Sequence, residues 1–403
     1  MSISATPIAP AHRFHTRLRL PRPVSALEGS VGFVSTFPPT KCGLATFTAS
    51  LAGALGATGP IGVVSCVDER GETVSSPGVV AEWVRGSRSS LAGAAQALSA
   101  YDTVVVQHEF GLFGGEDGAD ILELVSLLDA PVVVVLHTVL ESPSPNQRRI
   151  VEELARVASR IVVQSEVAGR RLLGAHRIDS SSVVVIPHGA PANLAPLALR
   201  PDPTRRPSIL TWGLIGPGKG IEFAIEALAE LKDLTPLPRY VVLGETHPNV
   251  RKHSGEAYRE SLQALSETLG VEHMIEFLDG YRDTAAVLAE VRRADIVLLP
   301  YRSRDQVVSG VLVEAIGSGK PVVSTAFPHA VELLSGGAGV VVPHEDPAAI
   351  AAALRMLLTD PAAAARAAAA ARRQAVSLTW ENVGVRYRQL TRGLQPAGAV
   401  SAL

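Results

Sequence analysis

The sequence has 403 residues, of which 47% are hydrophobic and 19% charged, and its formal net charge at pH 7 is -2. A single hydrophobic core stops growing at roughly 250 to 300 residues, so we expect two globular domains. The near-neutral charge, with no extended basic face after residue 30, excludes a nucleic-acid backbone as the main partner.

Only two cysteines, Cys42 and Cys66, occur, which excludes a disulfide framework and any CxxC metal or redox motif. The longest apolar runs, such as Val132 to Leu136, are far shorter than the roughly 20 residues that span a bilayer. We therefore expect a cytoplasmic protein without a transmembrane helix. Residues 1–28 are arginine-rich and proline-rich, and we interpret them as a disordered basic arm. We favour a solvated tail, and peripheral contact with the inner face of a membrane is the alternative.

From residue 31 onward, short β-branched runs alternate with longer amphipathic or alanine-rich stretches. This alternation predicts a parallel sheet covered by helices on both faces. In the first half we predict strands at 31–35, 62–66, 103–107, 132–136, 161–164 and 183–186, and helices at 44–55, 119–128, 147–158 and 168–173. We assign these elements to one α/β domain, residues 29–195.

Several prolines between residues 190 and 207 predict a linker, because proline interrupts both helices and strand ladders. A second alternation follows, with strands at 208–212, 240–243, 274–277, 296–299, 321–324 and 339–342, and helices at 221–231, 257–269, 284–291 and 311–319. We assign residues 196–378 to a second α/β domain, which ends in alanine-rich helices. Residues 379–403 are predicted to form a helix that returns to the first domain, then a tail. The predicted fold class is therefore α/β, with two doubly wound, Rossmann-like domains facing each other across a cleft.

A glycine-rich turn, Gly213-Leu-Ile-Gly-Pro-Gly-Lys-Gly220, joins the first strand of the second domain to a helix. Backbone amides and a helix N-terminus converge on an anion at such a turn, so it predicts a phosphate site that includes Lys219. The turn nearly matches the P-loop pattern, but Gly220 lacks the hydroxyl that would bind magnesium, which disfavours a P-loop ATPase. A simple glycine turn with a solvated lysine is the bland alternative.

Polar residues follow three predicted strands of the first domain. Gly43 begins a helix after strand 31–35, His108 and Glu109 follow strand 103–107, and His137 follows strand 132–136. Because parallel sheets bind ligands at the carboxyl ends of their strands, we predict that these residues face the cleft and contact sugar hydroxyls. A buried or capping histidine is an equally good interpretation of each histidine alone.

The segment from Asp295 to Gly319 carries the strongest signal. Ser309, Gly310 and Val311 open a predicted helix whose free amides could hold a phosphate, and Glu314 lies about one turn further along. A carboxylate there could bridge a ribose diol. An ordinary helix glutamate is the alternative, but the tight turn Gly317-Ser-Gly-Lys-Pro into a buried strand makes the combination specific.

This segment closely resembles the signature of the retaining, GT-B-fold glycosyltransferases of the glycogen-synthase-like group, family 4. The family pattern is Glu, seven residues, Glu-Ala, and then Ser-Gly-Lys/Arg-Pro-Val. The resemblance covers nearly the whole chain, because other family features occur in the same order: Gly43, His137, Ile-Pro-His-Gly at 186–189, the 213–220 loop, Leu243-Gly244 and Trp380-Glu381.

The resemblance implies a nucleotide-sugar donor, such as GDP-mannose or UDP-glucose, and a saccharide or glycolipid acceptor. Lys219, the Gly213 loop and the amides of Ser309, Gly310 and Val311 would hold the donor diphosphate, which Gly43 would approach from the first domain. Glu314 would bind the ribose, and the base would lie near Gly244 and the 277–281 strand end. His137 would contact the transferred sugar or the acceptor.

Two positions depart from the family pattern. Gln306 replaces the first glutamate of the pair, and Leu214 replaces the arginine that precedes the lysine by five residues. Gln306 can still hydrogen-bond sugar hydroxyls as part of the catalytic set. Leu214 removes a positive charge from the diphosphate site, for which Arg302 or Arg304 could compensate.

For this family the expected reaction is a hexosyl transfer that retains the anomeric configuration, in which a donor phosphate oxygen accepts the proton of the acceptor hydroxyl. No Asp-x-Asp motif occurs, so we expect no metal and no cofactor. Two alternatives stay open: a phosphorylase-like or epimerase-like sugar enzyme on the same frame, and a sugar-nucleotide-binding protein without catalysis.

Overall fold

The structure, a computed structural model, describes residues 29–194, 205–280 and 282–394. The predicted basic arm at 1–28, much of the predicted proline linker, and Tyr281 lie outside the described residues. The two alternating patterns of the sequence form two parallel sheets, one in each half of the chain.

The first sheet has seven strands in the order β3-β2-β1-β4-β5-β6-β7. All of its strand pairs are parallel, with Val31 opposite both Ile61 and Thr103. The elements are β1 (Val31–Ser35), α1 (Gly43–Gly56), β2 (Ile61–Val67), β3 (Val79–Val84), α2 (Arg88–Leu98), β4 (Thr103–His108), α3 (Asp120–Ser126), β5 (Val132–Leu136), α4 (Pro145–Val157), β6 (Arg160–Val163), α5 (Glu166–Ala175) and β7 (Val183–Val185).

The second sheet has six strands in the order β10-β9-β8-β11-β12-β13, again all parallel. Its elements are β8 (Ser208–Trp212), α6 (Ile221–Ala229), β9 (Arg239–Leu243), α7 (Pro248–Ser254), α8 (Ala257–Thr268), β10 (Ile275–Leu278), α9 (Thr284–Arg293), β11 (Ile296–Leu299), α10 (Gly310–Gly317), β12 (Val322–Thr325), α11 (Pro328–Leu334) and β13 (Gly339–Val342).

The chain then forms α12 (Pro347–Thr359), α13 (Pro361–Leu378) and α14 (Trp380–Arg392). Helix α14 returns to the first domain, where Val383 and Tyr387 are buried in the same hydrophobic core as Phe47 and Leu51 of α1. Within the described ranges no single helix is long and apolar enough to cross a membrane, although α12 and α13, bent by 97° at their junction, meet that test as a pair.

The central strands are valine-rich and buried on both faces, which is why the sheets are parallel and covered by helices. In each sheet the strand order reverses once, between β1 and β4 and between β8 and β11. The loops diverge at such a switch point and leave a crevice at the carboxyl ends of the strands. The predicted fold class, two doubly wound α/β domains with C-terminal helices, is therefore confirmed.

The predicted elements omit four that the structure contains: β3, α2, α7 and α11. Strand β3 is an edge strand in which Trp83 is the one fully buried residue, so its sequence lacks the continuous apolar run of a central strand. Helices α7 and α11 have seven residues each, too few to display a clear helical period.

Candidate active site

The glycine-rich turn connects β8 to α6 at the switch point of the second sheet. It contains a short 3-10 turn, Pro217–Lys219, and ends at Gly220 in the left-handed region, with φ of 61°. The Lys219 Nζ donates a hydrogen bond of 2.8 Å to the Tyr301 hydroxyl and lies 4.3 Å from the centroid of that ring. A Cβ built on Gly213 would lie 3.4 Å from this nitrogen, so the lysine amine sits directly against the backbone at Gly213.

Helix α10 begins at the predicted place, with Ser309 as its N-cap residue. The Ser309 amide is not available for a phosphate, because it donates a 2.9 Å hydrogen bond to Nδ1 of His329. This corrects the prediction that all three amides face a ligand. Gly310 and Val311 lie in the first helical turn, where an amide has no carbonyl four residues earlier in the helix to bind. Of the three amides predicted to hold an anion, those of Gly310 and Val311 therefore remain as candidates.

Glu314 lies one turn into α10, where its carboxylate accepts a 3.3 Å hydrogen bond from Nε1 of Trp212 at the end of β8. Burial raises the pKa of the Glu314 carboxyl, and the Trp212 hydrogen bond opposes that rise. A buried carboxylate with one neutral donor has free acceptor capacity for hydroxyl groups. The geometry therefore fits a partner that presents a diol.

A cavity of about 200 Å³ joins the two domains at this position. Residues 41–46 of the first domain, at the start of α1, lie on one wall. The residues that end or follow β8 and β9 lie on the other. Its lining residues are Lys41, Cys42, Gly43, Thr46, Trp212, Gly213, Leu214, Leu243, Gly244, Glu245, Gly280, Arg282 and Val287. Three predicted residues from three different turns, Gly43, Gly213 and Gly244, thus line one space.

A second cavity of about 380 Å³ shares Gly43 and Thr46 with the first. It brings together Gly310, Val311 and Glu314 of the second domain with His137 of the first. Four aromatic rings cluster at its wall, with the Phe47 ring 4.7 Å from His137, 5.0 Å from His188 and 5.0 Å from Trp380, between centroids.

A third cavity, of about 500 Å³, shares His137 and Val308 with the second. It contains Gln306 and is otherwise lined by residues 138–142 of the first domain, by Arg171, and by Ser303, Asp305 and Val307 of the second domain. The three cavities therefore form one continuous cleft between the domains.

His137 is held by two glutamines. Its Nε2 is 2.7 Å from Oε1 of Gln107, and its Nδ1 is 3.1 Å from Nε2 of Gln164. Burial, with smaller contributions from His188 and His108, lowers the pKa of His137 to about 3. The ring is thus neutral at pH 7, and both nitrogens have protein partners. His137 lines the cleft as predicted, but this arrangement does not fit a general base.

His108 does not face the cleft, contrary to the prediction. Its side chain is fully buried beside Phe110 and Phe113, with ring centroids 5.1 and 6.3 Å away, and burial lowers its pKa to about 4. The ring packs against Phe113 of the first domain's hydrophobic core, which places the side chain on the helix-covered face of the sheet rather than in the cleft. Glu109 accepts a 2.5 Å hydrogen bond from the hydroxyl of Thr138, a residue of the third cavity, but does not itself line any of the three cavities.

Leu214 stands where the family pattern has an arginine, and neither Arg302 nor Arg304 supplies the missing positive charge. The Arg302 guanidinium pairs with Glu222 at 2.7 Å, and Arg304 lies 3.6 Å from Glu345. Neither arginine lines the cleft. The cations that share the first cavity with Leu214 are instead Lys41 and Arg282.

Sequence reasoning missed four residues of the site: Trp212, His188, His329 and Arg282. His188 lies in the Ile-Pro-His-Gly motif, and a Cβ on Gly310 would lie 3.0 Å from its Nε2, so this ring abuts the start of α10. The motif was a usable signal for His188. No sequence pattern predicts the contact between His329 and Ser309, because the two residues lie 20 positions apart. They come together because α11, which carries His329, packs beside the start of α10.

Comparisons with known proteins agree with this geometry. Residues 200–374 match the family model "Glycosyl transferases group 1". The D-inositol 3-phosphate glycosyltransferase of Kineococcus radiotolerans is 30% identical over 221 residues, which cover 49% of each chain. The protein of that name from Mycolicibacterium smegmatis is 27% identical over 215 residues, covering 51% of this chain and 47% of its own. The chain thus spans about half the length of these relatives.

A solved structure of Anabaena HepE in complex with UDP superposes with a TM-score of 0.73 at 19% identity, covering 91% of this chain and 100% of the other. Sucrose-phosphate synthase from Thermosynechococcus elongatus superposes with a TM-score of 0.69 at 18% identity, covering 91% and 99%. At these identities the likeness concerns the fold, two parallel-sheet domains across a cleft.

Proposed function

We propose that this chain transfers a hexose from a nucleoside-diphosphate sugar to a hydroxyl of a saccharide or glycolipid, because residues 200–374 match the family model "Glycosyl transferases group 1" and the fold is GT-B. The observation that carries the proposal is the cleft in which the Gly213 turn, the first turn of α10 and Glu314 meet Gly43 of the other domain. These groups match the three parts of such a donor: base, ribose and diphosphate.

In the proposed complex the diphosphate lies against the amides of Gly310 and Val311 and beside Lys219. The ribose hydroxyls bind Glu314, and the base lies in the first cavity near Gly244. Charge develops on the departing diphosphate, so fixed donors that face it supply much of the rate, by roughly 100- to 1,000-fold for one donor. Lys41 and Arg282 would add the positive charge that Leu214 lacks.

We propose transfer with retention, in which the donor phosphate itself takes the proton of the acceptor hydroxyl. The neutral state of His137 supports this mechanism, because a ring with a pKa of about 3 and two occupied nitrogens is a poor proton acceptor at pH 7. The role that remains for His137 is to shape the cleft wall against the transferred hexose. Gln306, in the third cavity, would orient that sugar or the acceptor through its amide.

The donor is proposed to be UDP-glucose or GDP-mannose. HepE has been solved in complex with UDP-glucose. The relatives named D-inositol 3-phosphate glycosyltransferase support a polyol or saccharide acceptor. A thermal-shift screen of UDP, GDP, ADP and their hexose derivatives, followed by transfer assays with the best donor, tests the proposal. Proton NMR of the product then determines whether the anomeric configuration is retained.

Metal independence is part of the proposal, since protein amides and lysine would neutralise the diphosphate. We expect transfer activity to stay within about twofold after treatment with EDTA, because no metal–phosphate contact would be lost. Loss of activity on chelation, with recovery on addition of Mg²⁺ or Mn²⁺, would contradict this part.

One observation is also compatible with a protein that binds a nucleotide sugar without transferring it. The Gln306 amide nitrogen donates a 2.9 Å hydrogen bond to the Val308 carbonyl within its own segment, so the side-chain oxygen is the group left to contact a sugar. A protein that binds the nucleotide sugar without transferring it would show the thermal shift but neither transfer nor hydrolysis. The same assays therefore separate the two functions.

A further inference from the structure

The segment Asp305–Val308 belongs to the second domain by sequence, yet it is anchored in the first. The Val307 side chain is only 4% exposed and is part of the first domain's hydrophobic core, together with Val139 and Leu172. Val308 packs against the same core. This apolar insertion ties the loop before α10 to the domain on the opposite side of the cleft.

Hydrogen bonds from α5 of the first domain hold the backbone of this segment. The hydroxyl of Ser165, the N-cap of α5, donates to the Val307 carbonyl at 2.8 Å. Nη1 of Arg171 donates to the Asp305 carbonyl at 2.7 Å and to the Val139 carbonyl at 3.3 Å. One guanidinium therefore connects the cleft loops of both domains.

A second contact fixes α5 against the second domain. The Glu332 carboxylate of α11 accepts hydrogen bonds from the amides of Glu166 and Val167, at 2.9 and 2.7 Å. A carboxylate at the N-terminus of a helix is stabilised by the free amides and the helix dipole. Helix α5 is thus bound to α11 at its first turn and to the 305–308 segment through Ser165 and Arg171.

The held segment has a direct connection to the proposed chemistry. It carries Gln306, and it leads through Ser309 into Gly310 and Val311, whose amides face the proposed diphosphate. The Gln306 carbonyl also accepts a 3.2 Å hydrogen bond from the His329 amide, and His329 in turn binds the Ser309 amide. Any displacement of residues 305–308 would therefore shift the first turn of α10.

We propose that Arg171 is a positioning residue, which ties the 305–308 segment to the backbone at Val139 and so holds the first turn of α10 in the arrangement that binds the donor. The inference rests on the proposed glycosyl transfer for its kinetic consequences. Its structural consequence, order in residues 305–311, does not depend on that function.

The test compares Arg171→Met with Arg170→Met, a matched control in which the neighbouring, exposed arginine of the same helix is changed. Hydrogen–deuterium exchange is measured on the full chain at residues 305–311. We expect Arg171→Met to speed exchange there by roughly tenfold, as loss of charge-assisted hydrogen bonds predicts, and Arg170→Met to leave it unchanged. Glu332→Gln, which acts from the opposite element, is expected to speed the same exchange by a smaller factor.

Kinetics supply the second measurement. We expect Arg171→Met to lower kcat roughly tenfold and to raise the Kd of the nucleoside-diphosphate product by about threefold or more, because the shifted turn of α10 carries the amides proposed to hold its diphosphate. Arg171→Lys should restore part of kcat, because a lysine can still donate to one carbonyl. Equal exchange in Arg171→Met, Glu332→Gln and the control would overturn the inference, as would an unaltered kcat in an active protein. Wild-type protein that transfers no sugar would contradict the proposed function alone, and the exchange data would still decide the inference.

Discussion

Glu314 combines burial with a single neutral hydrogen-bond donor, Trp212, and burial raises its pKa. A carboxyl whose folded-state pKa is raised holds its proton better in the folded than in the unfolded chain. Stability therefore declines as the pH rises from the unfolded value of 4.5 through the raised folded value. The buried Glu314 carboxylate therefore lowers the stability of the ligand-free protein at neutral pH. The hydroxyl groups of a bound diol would supply the hydrogen-bond donors that it lacks.

Glu314→Gln is accordingly expected to stabilise the ligand-free protein at pH 7, since a neutral amide replaces a buried carboxylate. The same change should weaken donor binding by roughly 10- to 100-fold, because hydrogen bonds to a charged group are lost. Urea unfolding and calorimetric titration with the donor check both effects, with the exposed Glu267→Gln as the control. A variant that is destabilised when free, or that binds the donor normally, would contradict this role.

His108 lies in the core, and the low pKa of about 4 has a consequence for acid stability. Between pH 6.5 and 4 the unfolded chain binds a proton that the folded chain does not, so stability falls as the pH falls through this window, by at most about 1.4 kcal/mol per pH unit.

His108→Leu should therefore lose less stability than the wild-type protein between pH 7 and pH 5, while transfer activity stays within about twofold because the side chain does not reach the cleft. Urea unfolding at the two pH values measures this, with the exposed His253→Leu for comparison. A large fall in the transfer activity of a normally stable His108→Leu variant would show that His108 does act in the site.

At the residue scale, the sequence predicted which turns carry the site but not the direction of each side chain. Gly43, Gly213 and Gly244 line the cleft as their positions after strands imply, and Glu314 lines it from α10. The direction of the His108 side chain and the partner of the Ser309 amide could not be predicted from their positions in the sequence. Whether the last residue of a strand points inward depends on where the strand ends, and the partner of the Ser309 amide comes from a distant helix.

The turn from β8 to α6 depends on Gly220, which combines a φ of 61° with close packing. A Cβ at this position would lie 2.1 Å from the Pro300 carbonyl oxygen. No side chain could be accommodated without movement of the backbone that carries Lys219.

We expect Gly220→Ala to lower the free energy of unfolding by about 2 kcal/mol or more, since backbone strain and a backbone clash add together. Gly218→Ala, in the same turn but with no atom within 4 Å of its Cβ, should change it by less than about 0.5 kcal/mol. Thermal and urea unfolding of the two variants compare these effects directly. Similar losses in both would show that the turn is not constrained at Gly220.

At the element scale, the long buried strands and long helices were predicted within a few residues, because a continuous valine run or a full helical period is a strong local signal. Edge strand β3, the 11-residue helix α2 and the short helices α7 and α11 were missed. These elements are fixed by what they pack against, as when α11 supplies His329 and Glu332 to groups on α10 and α5.

For the whole molecule, the cleft exists because both sheets reverse strand order at the point where the domains face each other. The Ala190 amide donates a 2.7 Å hydrogen bond to the Leu378 carbonyl, and the Trp380 amide donates a 3.1 Å hydrogen bond to the Ala190 carbonyl. These two bonds join the two places where the chain passes from one domain to the other. The α5 contacts with Glu332 and with residues 305–308 close the opposite side. The sequence predicted two domains and a cleft, but not these contacts, which depend on how the domains are oriented.

The central claim is that Lys219 and the turn around it act on a nucleoside-diphosphate sugar. The most direct measurement is kcat/KM for hexosyl transfer by Lys219→Met beside Lys232→Met, since the two lysines flank opposite ends of α6. We predict a fall of about 100-fold for Lys219→Met, as expected when one fixed cation facing a leaving diphosphate is removed, and no more than about a twofold change for Lys232→Met. Equal activity in the two variants would contradict the account.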